Sequence, residues 1–261
     1  MKIFLPFLFF VGLFNFGRAQ FSDVTKEAGI NNIYDVYQGL FGGGVVAFDY
    51  NNDGYEDLFI TGGKSQDVLY KNNGDGTFED VTKISGLLKE RIIVTTGVSS
   101  ADINKDGYID LFVTTIASQD NKTKKKKTLS PNLIYINNGN GTFTDFSSKL
   151  GITKSNFSTS SSFGDINADG YPDLFVGNYF KNFYFEDSPF GTHNIALLNH
   201  YSINEEYETG DDELYINVDG SHFEDVSGLL VDAGKGYGFG GVFTDFDNDN
   251  DLDLFIINDF G

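Results

Sequence analysis

Cysteine is missing from all 261 residues. Disulfides, which many exported domains use for stability, are therefore excluded, and so is a thiol-linked lipid anchor. Basic residues are scarce: 18 Lys and Arg stand against 38 Asp and Glu, a formal net charge of −20. That balance argues against nucleic acid or an anionic membrane surface as the main partner and favours cations. Beyond the N-terminus no segment approaches the ~20 apolar residues that a spanning helix needs. The chain contains no HExxH, no nucleophile elbow and no Gly-rich phosphate loop ahead of a helix, and its histidines are His193, His200 and His222 alone. Aromatics are plentiful, with 27 Phe and 14 Tyr, so a packed core is within reach.

The first residues, MKIFLPFLFFVGLFNFGRAQ, place a Lys ahead of an apolar run and small residues at Gly17 and Ala19. This is the pattern of a secretory signal peptide cut between Ala19 and Gln20. It predicts a leader over 1–19 and an exported chain, secreted, periplasmic or at the cell surface, with no membrane span after cleavage.

Two motifs alternate along the rest. One is an acidic loop before an apolar strand: AFDYNNDGYEDLFI (47–60), SADINKDGYIDLFV (100–113), FGDINADGYPDLFV (163–176) and FTDFDNDNDLDLFI (243–256). The other is LYKNNGDGTFEDVT (69–82), IYINNGNGTFTDFS (134–147) and LYINVDGSHFEDVS (214–227), two short runs about a Gly-containing turn. The second motif is a hairpin signal. Four short strands per ~50 residues, in fixed order and without a helical period, predict an all-β fold of propeller blades. The blades are expected at 41–84, 92–149 and 158–228, with a partial one at 236–261. FSDVTKEAGI (21–30) matches FEDVTKISGL (78–87), and is expected to be an orphan last strand that completes the partial blade. The third strand of that blade is missing, which reads as an incomplete propeller.

Counted from its first Asp, each loop carries side-chain oxygens at positions 1, 3, 5 and 9 and Gly or Asn at position 6. Alternate positions on a tight turn converge on one centre, and hard oxygen ligands of this kind suit Ca²⁺, with a backbone carbonyl at position 7 as a further ligand. An EF-hand is excluded, because position 12 (Ile60, Val113, Val176, Ile256) lies in a strand and is apolar. The candidate metal residues are Asp49, Asn51, Asp53, Tyr55 and Asp57 in the first loop, and Asp102, Asn104, Asp106, Tyr108 and Asp110 in the second. Asp165, Asn167, Asp169, Tyr171 and Asp173 follow in the third, and Asp245, Asp247, Asp249, Asp251 and Asp253 in the fourth. Three to four Ca²⁺ are expected, coupled to folding because the carboxylates otherwise repel one another. The fourth loop, with four carboxylates at the side-chain ligand positions, is expected to bind most tightly.

The loop DxNxDGxxDLF and the hairpin LYxNNGDGTFxDVT together resemble FG-GAP/VCBS repeats of integrin-α-like propellers, most closely those of secreted FG-GAP proteins related to cartilage acidic protein, which often end in an ASPIC/UnbV domain. The resemblance covers about 21–261. It implies a calcium-bound propeller of the seven-bladed type, exported, and used for adhesion or binding rather than catalysis. Four loops are too few for that ring, and no ASPIC/UnbV-like segment is present.

Two insertions depart from the repeat. KTKKKK (Lys122–Lys127) reads as a solvated loop tip, and 178–212 is aromatic-rich and holds two of the histidines. The expected function is a protein- or glycan-binding module with structural calcium. The alternative is a carbohydrate-active enzyme, a lyase or hydrolase, with its site in 178–212 or in a missing C-terminal part.

Overall fold

A computed structural model describes residues 21–35, 42–88, 92–119, 129–180, 209–231 and 234–259. The expected leader, the Lys122–Lys127 run, His193, His200 and most of the 178–212 insertion lie outside the described residues.

Each repeat folds into one antiparallel sheet, because its apolar runs alternate and its turns carry Gly or Asn. The first sheet is β1(Val45–Phe48), β2(Asp57–Ile60), β3(Val68–Asn72) and β4(Phe78–Asp80), paired in that order. The second sheet is β5(Ile92–Ala101), β6(Asp110–Gln119), β8(Leu133–Asn137) and β9(Phe143–Asp145). The third is β10(Ser155–Gly164), β11(Asp173–Phe180), β12(Glu213–Val218) and β13(His222–Asp225). A two-residue strand that the sequence did not announce, β7(Ser130–Pro131), adds to the inner edge of this third sheet by pairing Ser155 with Pro131 and Asn156 with Ser130. The fourth sheet has two strands, β14(Gly238–Thr244) and β15(Asp253–Asn258). No α-helix forms among the described residues; the one helical element there is a 3-10 turn at Ser227–Leu230. None is long and apolar enough to cross a membrane.

The sheets stack face to face as the blades of an incomplete β-propeller. An apolar layer between the first and second sheets holds Phe48, Tyr50, Phe59, Leu69, Leu111, Val113 and Leu133. The next layer holds Ile103, Phe112, Ile134, Leu174, Val176 and Tyr215. Phe59, Phe112 and Phe175, the third residue of β2, β6 and β11, are fully buried, each worth about 1.5–3 kcal/mol of transfer free energy.

Residues 21–30 do not form the expected strand. Thr25–Gly29 is a turn, and residues 21–24 pair with no strand. The segment nevertheless docks as the tail of a blade does. The Ala28 carbonyl accepts from Phe78 N at 2.8 Å, as Ser85 does from Phe143 N and Leu150 from Phe223 N at the same length. Tyr70 Oη also accepts from Asn31 N at 3.1 Å. The turn half of the motif forms on local hydrogen bonds. The strand half needs a neighbouring strand to supply its ladder, and β15 is the last strand of its sheet.

Candidate metal centres

All four acidic loops join the first two strands of a sheet: β1 to β2, β5 to β6, β10 to β11 and β14 to β15. Their backbones repeat closely. Position 6 is left-handed at Gly54, Gly107 and Gly170 (φ 87, 87 and 89°) and at Asn250 (φ 74°). Position 4 is also left-handed, at Asn52, Lys105, Ala168 and Asn248 (φ 56, 58, 57 and 64°). Lys and Ala do not favour that region, so the loop must hold them there.

Hydrogen bonds show how it does so. The first Asp takes two backbone N–H groups. Asp49 Oδ1 accepts from Asp53 N at 3.0 Å and Oδ2 from Gly54 N at 2.7 Å. Asp102, Asp165 and Asp245 do the same with their own positions 5 and 6. Position 3 also accepts from position 5, as Asn51 Oδ1 does from Asp53 N at 3.0 Å. Position 5 accepts from position 7. Side chains at 1, 3 and 5 are thus folded inward around one point.

The position-9 Asp has a second task that the spacing alone did not show. Asp57 Oδ2 accepts from Tyr50 N at 3.1 Å and Oδ1 from Asn72 N at 2.7 Å. Asp110 and Asp173 likewise clamp their loop to the hairpin through Asn137 N and Asn217 N, both at 2.8 Å. All three carboxylates are fully buried. Burial pushes the Asp110 carboxyl up to about 7 and raises those of Asp57 and Asp173, against the lowering effect of the two backbone donors on each. The hairpin Asn recurs in LYKN, IYIN and LYIN, at Asn72, Asn137 and Asn217, which was the available signal for this clamp.

Position 7 was expected to offer only its carbonyl. The rings of Tyr55, Tyr108 and Tyr171 also cover the hairpin turns: a Cβ on Gly74, Gly139 or Gly220 would stand 2.7, 2.6 or 3.3 Å from them. Asp251 takes this place in the fourth loop, over which no second hairpin stands among the described residues. Its carboxyl is raised, first by the side-chain hydrogen bond to Asp249 and by that residue's charge.

Carboxylate crowding is the chemical character of these sites. In the fourth loop, oxygens of Asp245, Asp247 and Asp253 lie within 4.8 Å of one another, and no described ion pair reaches that loop. Lys71 approaches Asp53 at 3.5 Å in the first. Oxygen-only donors of net negative charge on a preformed turn fit a hard divalent cation.

A family model described as an FG-GAP-like repeat matches residues 49–113 and 115–176. The chain carries FG-GAP-like repeats. Each matched stretch runs from one acidic loop or its following strand to the strand after the next loop. A relative, cartilage acidic protein 1 of Xenopus tropicalis, is 32% identical over 90 residues, 34% of this chain and 13% of the relative. The match therefore spans about an eighth of that protein's length. A solved structure, described as the basis of specific recognition of non-reducing terminal N-acetylglucosamine by an Agrocybe aegerita lectin, aligns at 15% identity with a TM-score of 0.39, covering 80% of this chain and 45% of that one.

The FG-GAP-like loops make a backbone prediction. A Cβ on Gly54 would meet nothing within 4 Å, so substitution there tests conformation alone. Gly54→Asn is expected to be nearly neutral, since Asn250 already occupies the equivalent place. Gly54→Val should lose about 1–2 kcal/mol, measured by urea unfolding in calcium.

Proposed function

We propose that this chain is an exported, calcium-binding β-propeller that acts as a binding or adhesion module for a protein or glycan ligand. The observation that carries the reading is the fourfold recurrence of one oxygen-lined turn at the same place in successive sheets. Asp49, Asn51, Asp53 and Asp57 would hold one ion together with the Tyr55 carbonyl. The same positions would serve in the second loop (Asp102 to Asp110), the third (Asp165 to Asp173) and the fourth (Asp245 to Asp253). Bound calcium supplies charge compensation and rigid loops, so its role is structural. The position-9 carboxylates of Asp57, Asp110 and Asp173 themselves tie loop to hairpin. The leader-like N-terminus and the FG-GAP-like repeats support export and binding over catalysis.

Calorimetric titration of residues 20–261 with CaCl₂ after chelation tests the metal reading, with three to four ions expected. Screening the calcium-loaded protein against acidic and neutral polysaccharides tests the rest. Retention without turnover supports a module, and turnover lost on His193 or His200 substitution overturns it.

A further inference from the structure

Toward the end of the third sheet opposite its acidic loop, three consecutive acids break the repeat. Asp211, Asp212 and Glu213 stand where the first sheet has Gln66, Asp67 and Val68 and the second has Pro131, Asn132 and Leu133. The register is the same in all three: Glu213 pairs with Val176 as Val68 does with Ile60 and Leu133 with Val113. Val68 and Leu133 are core residues, and Glu213 is buried as they are. A carboxylate in such a place costs stability unless it is paired. Glu213 is paired: Asn156 Nδ2 donates to its Oε1 at 2.7 Å, and Lys154 Nζ stands 3.6 Å from the same oxygen. Lys154 also pairs with Asp225.

Asp212 is not compensated in this way. Its Oδ1 accepts from Asn178 N at 2.7 Å, but its Oδ2 is buried without a hydrogen-bond partner, in a residue only 2% exposed. The charges that act on it are those of Glu213 and Asp211, both of its own sign. In the matching places Asp67 receives the Thr95 hydroxyl and Asn132 donates to the Ser158 hydroxyl.

Asp212 and Glu213 line a cavity of about 490 Å³ with Leu230, Val231 and Gly234, a size within the range of small-ligand sites. Lys154 and Lys235 also line it, yet neither supplies a compensating charge to Asp212. Gly234 joins the aliphatic wall to the acid: a Cβ there would stand 3.0 Å from Leu230 Cβ and 3.7 Å from Asp212 Cβ. Val231 is exposed. Among the described residues no aromatic ring lines the cavity. An aliphatic wall beside an unmatched anion suits the methylene stem and charged head of a basic side chain better than a sugar ring.

We propose that this cavity binds a basic side chain of a protein ligand, its cationic head meeting Asp212 Oδ2 and its stem lying on Leu230 and Val231. The proposal rests on the reading of the chain as a binding module and names the chemistry of its ligand. A hydroxyl would give Oδ2 a hydrogen bond and leave its charge buried; a cation supplies both. The free protein bears the cost of the unmatched carboxylate and recovers it on binding, the usual trade of stability for function. The acidic chain as a whole also attracts basic partners.

Saturation-transfer NMR on calcium-loaded residues 20–261 at pH 8 tests this. The probes are the Nα-acetyl amides of lysine, arginine and norleucine, and methyl β-glucoside. At least one basic amide is expected to bind with a dissociation constant of about 1–10 mM. The norleucine amide, which has a similar stem and no charge, should bind at least about tenfold more weakly. Asp212→Asn should weaken the basic amides about tenfold or more. That variant is expected to be more stable than wild type at pH 8, so its loss of binding cannot come from unfolding. Asp75→Ala removes an equal charge outside the cavity and should bind as wild type does. The proposal is overturned if neither basic amide binds up to about 50 mM, if the norleucine amide binds equally, if Asp212→Asn leaves binding unchanged, or if Asp75→Ala weakens it as much. Glucoside binding that Asp212→Asn abolishes, with no binding of either basic amide, overturns it in favour of a glycan site. All these outcomes leave the module reading standing, since that reading fails separately, on turnover of a polysaccharide.

Discussion

Asp102→Ala is expected to lower the melting temperature by about 10 °C in calcium and by only a few degrees in chelator. Asp102 does two things in the second loop. Its Oδ1 and Oδ2 accept from Asp106 N and Gly107 N at 3.1 and 2.9 Å, and its charge belongs to the proposed metal ligands. Losing the two hydrogen bonds costs about 1–3 kcal/mol, and relief of repulsion from Asp106 and Asp110 offsets part of that when no metal is bound. With calcium at 100 to 1,000 times its dissociation constant, one site contributes a further ~2.7–4.1 kcal/mol that the variant forfeits. At about 2–4 °C per kcal/mol for a chain of this size, the calcium-specific loss is the larger. Asp75→Ala is the matched control. Asp75 Oδ1 accepts from Thr77 N at 3.0 Å and from its hydroxyl at 2.6 Å in a hairpin turn, outside any acidic loop. Its variant should lose the same few degrees in both buffers. Equal losses for Asp102→Ala in calcium and in chelator would show that the loops are turns and nothing more.

How far the sequence could be read depended on whether a residue's role was stated by its type or only by its neighbours. Asp, Asn and Gly at fixed spacing announce a tight oxygen-lined turn, because each type has its own reason to be there. The hairpins were legible for the same reason. Lys105 and Ala168 at φ 58° and 57° were not, since nothing in Lys or Ala signals a left-handed backbone; the Asp–backbone bonds around them impose it. β7 escaped because two residues have no periodicity. Residues 21–30 were half legible: the sequence match identified the motif, yet a strand is a property of two chains of atoms, and only the turn could form alone. The double role of Asp57, Asp110 and Asp173 followed from position 9 being the first residue of the next strand, where one carboxylate meets both the loop and the hairpin. Its buried surroundings are tertiary and were invisible in the loop's own letters.

The residue two places before each hairpin motif (LYKN, IYIN, LYIN) shows what such tertiary context does to stability. Asp67 Oδ1 accepts from Gly62 N at 2.7 Å and from Thr95 Oγ1 of the next sheet at 2.6 Å. Asn132 accepts from Thr115 N at 2.8 Å and donates to Ser158 Oγ of the next sheet at 2.9 Å. Asp212 accepts from Asn178 N at 2.7 Å, but the place of Thr95 and Ser158 is taken by Gly238, whose added Cβ would stand 2.1 Å from Asp212 Oδ1. No hydroxyl is available, and Asp212 Oδ2 is buried without a partner. Burial therefore raises this carboxyl to about 7, helped by the charges of Glu213 and Asp211. The folded protein binds this proton more tightly than the unfolded chain does. Stability from the neutral form is complete below the unfolded value of 3.8 and is lost as pH rises toward 7, by up to about 4 kcal/mol at 1.36 kcal/mol per unit. Asp212→Asn, the residue type already used at position 132, removes the titration. Measured by urea unfolding in saturating calcium, the variant should be more stable than wild type by about 2 kcal/mol at pH 8, the remainder being lost to an incompletely bonded amide. Near pH 4, where the wild-type carboxyl is neutral, only the amide's unmet hydrogen bond is left and the variant should be less stable than wild type by about 1–2 kcal/mol. A gain that is equal at both pH values, or none at pH 8, would mean that Asp212 finds a donor or counter-charge in solution and that its buried carboxylate does not set the pH dependence of the fold.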